Sequence, residues 1–219
     1  MKNIIKIRAF VAICVIFVLS LAMLNTANAT NITVDWDKVT NVTTTSKGTL
    51  GTTEFELTVD SSGVSVYGYC IDPSQSINKG NYDFTLSLLS DQGAKAPLYY
   101  KAAWLLDSYA PAGNDVSNKK EKSAAIQGVL WTLLNNPGYA LTNTGLIGSY
   151  FSTYWAAVSA VTLNSSTINY LNTHFLVARN SKIQDLLVSD PNPVPEPATM
   201  LLFGTGICLL SRIRRKNRS

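Results

Sequence analysis

The chain is poor in the residues on which most enzymes and secreted domains depend. Its 219 residues include three cysteines and one histidine. No Cys-x-x-Cys pair, His-Glu-x-x-His helix, Gly-x-Ser-x-Gly elbow or phosphate-cradling glycine loop occurs, which removes the usual dithiol, zinc, hydrolase and nucleotide sites. The lone His174 sits in a stretch of mixed polarity and reads as a packing or surface residue. The sequence therefore offers no turnover enzyme and no resident cofactor. Long apolar runs are missing too: neither terminal run reaches the about 20 residues of an ordinary membrane span.

What the ends do contain is targeting information. Lys2, Lys6 and Arg8 precede an apolar stretch from Ala9 to Leu24, and Ala27, Asn28 and Ala29 then form a small-residue cleavage signal. That order predicts a secretory signal peptide over 1–29, with the mature chain starting at Thr30. At the other end a Pro-rich linker, 191–197, leads into an apolar segment over 198–211 and a basic tail over 212–219. As a helix the apolar segment rises about 21 Å against a hydrocarbon core of about 30 Å, so it predicts a short, marginal anchor. Its arginines place the tail in the cytoplasm and the residues before it outside the inner membrane.

The run Val194-Pro195-Glu196-Pro197-Ala198-Thr199, with the short apolar segment and arginine-rich tail behind it, resembles the PEP-CTERM sorting signal. The resemblance implies a Gram-negative bacterium that makes extracellular polysaccharide. It also implies cleavage near Pro195, Glu196 and Pro197 by a membrane transpeptidase-like enzyme, exosortase, and a destination at the cell surface or in the extracellular matrix.

Setting these signals aside changes the charge. Of 18 basic residues three lie in the signal peptide and five in the tail, and Glu196 is the one acidic residue beyond Pro195. The exported part keeps 10 basic against 13 acidic residues, a net charge of about −3, which withdraws the electrostatic case for a nucleic-acid partner. Cys14 and Cys208 leave with the terminal segments, so Cys70 stands alone in an oxidising compartment and an internal disulfide is ruled out. A solitary cysteine there is a free or intermolecular thiol, a small buried hydrophobe, or the site of another covalent use.

About 160 residues remain, enough for one domain. Phe55, Leu57 and Val59 alternate with polar neighbours as a half-buried strand does, Asp60-Ser61-Ser62-Gly63 reads as a turn, and Val64–Ile71 reads as a second strand. Cys70 shares a face of that strand with Val64, Val66 and Gly68, near an edge or an end, because Asp72-Pro73 cannot continue a central strand. Leu98–Tyr109 has helical spacing. So does the segment through Ile126, Val129, Leu130, Leu133 and Leu134, which starts near Lys119 to Ser123 and stops at Asn135-Asn136-Pro137-Gly138. Residues 150–161 and 167–178 each fit helix or strand. Strands first and helices later predict an α+β fold: one exported domain over 30–190, with an N-terminal sandwich or barrel-like sheet and helices following.

Gln127 flanks the apolar stripe of the second helix, one turn from Trp131, and by itself reads as a helix-surface amide. Taken in order, Tyr69-Cys70-Ile71-Asp72-Pro73, Ala102-Ala103-Trp104-Leu105-Leu106 and Ala124-Ala125-Ile126-Gln127-Gly128-Val129-Leu130-Trp131 resemble the thioester domains of Gram-positive surface adhesins. Ile126 and Val129 stand where that family's Thr-Gln-x-Ala motif has Thr and Ala. The resemblance implies an internal thioester between Cys70 and Gln127, enclosed by Tyr69, Trp131 and Trp104, and a surface polysaccharide or protein as its target. The chemistry suits the residue types. A thiolate attacks the carboxamide, ammonia leaves, and the acyl group can then be captured once by an amine or hydroxyl. By analogy with a disulfide, such a cross-link would also stabilise the fold by up to about 4 kcal/mol. The competing reading is a noncovalent polysaccharide-binding or structural matrix protein in which both residues only pack. Asp72, Ser74, Ser76, Asn78 and Asp83 have calcium-loop offsets, but Ile77 occupies the position where that loop needs glycine, so no metal site is expected.

Overall fold

A computed structural model describes residues 29–36, 41–45, 48–52, 54–59, 63–111, 117–135, 139, 141–142 and 144–190. The signal peptide save Ala29, the Pro-rich linker, the apolar segment 198–211 and the basic tail lie outside the described residues. Among those described, no helix is long and apolar enough to cross a membrane.

The strands are β1 (Ala29–Trp36), β2 (Asn41–Thr45), β3 (Gly48–Thr52), β4 (Phe55–Val59), β5 (Val64–Cys70) and β6 (Gly80–Leu88). A 3-10 segment, Leu89–Lys95, leads to four helices: α1 (Ala96–Tyr109), α2 (Lys119–Asn135), α3 (Gly145–Ala160) and α4 (Ser165–His174). Two strands follow, β7 (Phe175–Arg179) and β8 (Leu186–Ser189). Six strands close an antiparallel barrel in the order β1-β4-β5-β8-β7-β6, with β6 returning to β1, and β2 and β3 form a separate hairpin.

The α+β class and the N-terminal strands agree with the sequence reading, but the order of elements does not. The helices are an insertion between β6 and β7, and the last two strands complete the barrel. Cys70, expected near an edge or an end of its sheet, is at an end: it closes β5, a strand that lies between β4 and β8. The two undecided segments resolve as the helix α3 and as a helix running into a strand, α4 then β7.

Two cores explain the closing strands. Ile32, Val34, Phe55, Leu57, Val66, Cys70, Phe84, Ala178, Leu186 and Val188 fill the barrel interior. Tyr69, Ile71, Val177 and Leu187 point the opposite way into a second core with α1 to α4. Successive residues of β5, β7 and β8 thus enter different cores, and Leu186, Leu187 and Val188 are all buried because both faces of their strand are covered. Gly68 is required by this packing. A Cβ there would lie 2.9 Å from Val188 Cγ1 and 3.0 Å from Leu57 Cδ1.

Helix α2 serves both cores. Every residue from Ser123 to Trp131 is buried: Ile126, Val129 and Leu130 face the helical core, while Trp131 enters the barrel cluster. The register of the strands puts the last residue of β5, the first of β8 and the last of β7 at one end of the barrel. Trp131 belongs to the same cluster as Cys70 and Ile77, and the β2–β3 hairpin lies beside α2.

Candidate functional site

At the end of β5 the backbone of Cys70 outruns its neighbour. Strand β4 starts at Phe55, opposite Gly68, so it has no residue within its span to pair with Cys70. The N–H and C=O of one residue in an antiparallel strand point to the same side, and buried groups of this kind need partners. Gln127 supplies both. Cys70 N–H donates to Gln127 Oε1 at 3.1 Å, and Gln127 Nε2 donates to the Cys70 carbonyl. On the other side Ile71 N–H donates to the Asp185 carbonyl at 2.9 Å, continuing the β5–β8 ladder.

Gln127 is 1% exposed and Cys70 4%. The surface-amide alternative for Gln127 is therefore corrected: the carboxamide is buried against the one residue with which the thioester resemblance pairs it. Cys70 makes no disulfide. Its Sγ donates to Gln184 Oε1 at 2.7 Å. Burial, followed by the charge of Asp72, pushes the thiol well above its ordinary value. Asp72 itself accepts from Ser74 N at 2.9 Å and Gln75 Nε2 at 3.1 Å.

The three aromatic residues expected around the pair are placed differently. Trp131 shares the barrel cluster with Cys70, 1% exposed, and its Nε1 has no partner among the described residues. Tyr69 lies on the opposite face of β5. Its hydroxyl donates to Glu54 Oε2 at 2.9 Å and lies 3.3 Å from Ser123 Oγ, while Lys119 Nζ lies 3.4 Å from Glu54 Oε1. Burial, with Glu54 adding to it, raises Tyr69 well above the ordinary tyrosine value. Trp104 is in α1, half-buried in the helical core and edge-on to Tyr109 at 5.9 Å, apart from the cluster that holds Cys70.

Several residues at this site carried no sequence signal. Glu54 and Ser123 are buried polar groups tied to Tyr69, and Gln184 comes from a polar loop that only the barrel closure brings to Cys70. His174 stacks on Tyr170 at 4.0 Å at the end of α4, away from these groups. No group of side chains among the described residues could hold a metal ion, and Asp83 of the calcium-like spacing lies within β6.

Residues 193–216 match the family model of the PEP-CTERM protein-sorting motif. The motif implies an exported protein that is held transiently in the membrane and sorted by exosortase. Neither the curated proteins nor the solved structures contain a match to the chain. Pro195, Glu196 and Pro197 fall inside the matched segment. Ala27 of the expected signal cleavage site lies outside the described residues, and Ala29 opens β1.

Proposed function

We propose that the exported domain forms an internal thioester between Cys70 and Gln127 and uses it once, for covalent attachment to an amine or hydroxyl on a surface or matrix target. One observation carries this reading: the Gln127 carboxamide is held, buried, against the backbone of Cys70, whose sulfur is three covalent bonds from the nitrogen that the amide oxygen accepts from.

In the reaction Cys70 Sγ bonds to the Gln127 carbonyl carbon and the C–N bond breaks. The thiol proton leaves with the amide nitrogen as ammonia. A target amine or hydroxyl then bonds to the same carbon, the carbon–sulfur bond breaks, and the proton given up by the amine or hydroxyl returns the sulfur to a free thiol. Enclosure protects the acyl-sulfur bond from water, and both residues have it. The raised thiol sets the conditions of formation, which should accelerate as pH climbs toward the thiol's own titration. Loss of the Gln127 nitrogen also removes one of the two hydrogen bonds to Cys70. Trp131 Nε1, in the cluster that holds Cys70, is a donor with no partner among the described residues, available to an oxygen of the rearranged site.

The noncovalent alternative has an observation of its own. A groove of about 820 Å³ opens between β6 and the β7–β8 loop, lined by Asn81, Asp83, Thr85, Arg179, Asn180 and Lys182. Its mixed donors and acceptors suit a hydroxyl-rich ligand such as a polysaccharide.

The intact mass of fresh, untreated protein separates the two. The thioester form is lighter by one ammonia, Cys70→Ala regains that mass, and methylamine adds to the parent but not to the variant. An unmodified mass with Cys70 titrating as free thiol would remove the covalent reading.

A further inference from the structure

The thioester chemistry leaves one contact of the sulfur without a role. Cys70 Sγ donates its single proton to Gln184 Oε1 at 2.7 Å, while the surrounding wall is apolar: Val66, Ile77, Trp131, Ala178 and Leu186 belong to the same cluster. A polar partner inside such a wall decides where the S–H points and therefore where the sulfur lone pairs are exposed.

Gln184 is delivered by a loop, residues 180–185, that is pinned along its length. Arg179 Nη1 pairs with Asp185 Oδ2 at 2.8 Å, and Asn180 N–H donates to Asp185 Oδ1 at 3.0 Å. Lys182 N–H donates to Asn180 Oδ1 at 2.8 Å, and Ile183 packs against the barrel cluster. Gln127 is fixed to the backbone of the same cysteine. Two glutamines thus engage the same cysteine, Gln184 at its thiol proton and Gln127 at its backbone N–H and carbonyl.

We propose that Gln184 is the positioning residue for the Cys70 thiol. By accepting the S–H it fixes the sulfur's orientation toward Gln127, and by turning its amide it can donate to the thiolate once the proton has gone. The consequence for acyl transfer rests on the thioester reading; the control of the thiol does not. The charged and titratable groups around the sulfur are few. Asp72 lies on the β5–β6 loop, Asp185 with Arg179 on the β7–β8 side, and Tyr139 beside Trp131, while Glu54 and Lys119 lie across the sheet with Tyr69.

The test is the rate of Cys70 alkylation by iodoacetamide against pH, measured on the full chain in a Gln127→Ala background where no thioester can form. Gln184→Leu should move the midpoint upward by about one pH unit, the scale of a lost hydrogen bond to a charged group. Gln184→Glu should also move it upward, through like charge, and keeps a polar side chain at the position should the leucine variant fold poorly. A merely structural role would raise the plateau rate and leave the midpoint in place, and that result overturns the proposal. With Gln127 present, Gln184→Leu should lower the fraction of protein lacking one ammonia; an unchanged fraction breaks the link to acyl transfer. If the parent shows no ammonia loss at all, the thioester reading fails while the midpoint shift still decides the role of Gln184.

Discussion

The Gln127 carboxamide takes the place of a neighbouring strand beside Cys70, accepting from its N–H and donating to its carbonyl. A helix residue thereby finishes a ladder that β4 leaves short. The arrangement makes Gln127 structural before any reaction. Measured against unreacted parent protein, Gln127→Leu strands two buried backbone groups and should destabilise the fold by about 2 kcal/mol or more, whereas Cys70→Ala keeps both bonds and should cost about 1 kcal/mol. Urea midpoints at fixed slope measure the difference; equal losses would mean that the amide contributes nothing to the ladder.

Alkaline pH should weaken the fold through groups that burial keeps neutral. The Cys70 thiol is held above its ordinary 9.0 and the Tyr69 hydroxyl above 10.0, both chiefly by desolvation, and Tyr154 is pushed up to about 12. Below the ordinary values native and unfolded chains bind the same protons and the stabilisation is complete. As pH rises past 9 to 10 the unfolded chain loses protons that the native one keeps, so stability falls until the native groups ionise as well. Urea midpoints from pH 7 to 11 should decline from about pH 9, at about 1.4 kcal/mol per pH unit for each buried group involved. In Cys70→Ala the onset should move to about pH 10. Protein that carries the thioester has no thiol to titrate and should already behave like that variant.

Trp131 plugs the barrel from α2 and is 1% exposed, with an indole N–H that finds no partner among the described residues. Truncation to alanine should cost about 3–5 kcal/mol by opening a cavity. Phenylalanine keeps much of the volume and removes the unpaired donor, so Trp131→Phe should cost less than half as much. A phenylalanine variant as weak as the alanine one would show that the N–H is engaged. Tryptophan fluorescence should in either case lose the component of a buried indole.

How far the sequence could be read follows from how many faces each element buries. Strand β4 has one polar face for most of its length and its alternation was plain; the periodicity of α1 and α2 located both helices to within about two residues. Strand β8 is covered on both sides, so Leu186, Leu187 and Val188 form a short apolar run with no period to detect. Strand β6 does alternate, with Tyr82, Phe84 and Leu86 inward, but it follows directly on the polar run 72–81, which blurs its start. Helix α4 passes directly into β7, and the mixed spacing of 167–178 reflects that junction. The pairing of Cys70 with Gln127 came from resemblance, not from spacing. The contact with Gln184 depends on a barrel closure 114 residues along the chain, and no local pattern reports that.

The loop that carries Gln184 should act as a local cover whose opening is separable from global unfolding. Asp185 holds it with both carboxylate oxygens, one on Arg179 and one on Asn180 N–H, while its backbone carbonyl stays in the ladder with Ile71. Asp185→Ala therefore releases the loop without breaking the strand pairing. The Arg179 side chain is 46% exposed, which limits the ion pair's contribution to global stability to about 1 kcal/mol or less. Access to the sulfur should change more, because Gln184 bonds the thiol and Ile183 packs against the cluster that holds it, and both belong to the pinned loop. In a Gln127→Ala background, alkylation of Cys70 in Asp185→Ala should accelerate about tenfold or more while the urea midpoint moves little. A rise in rate no larger than the loss of global stability explains would mean that the thiol is reached only through unfolding, and that the loop does not gate it.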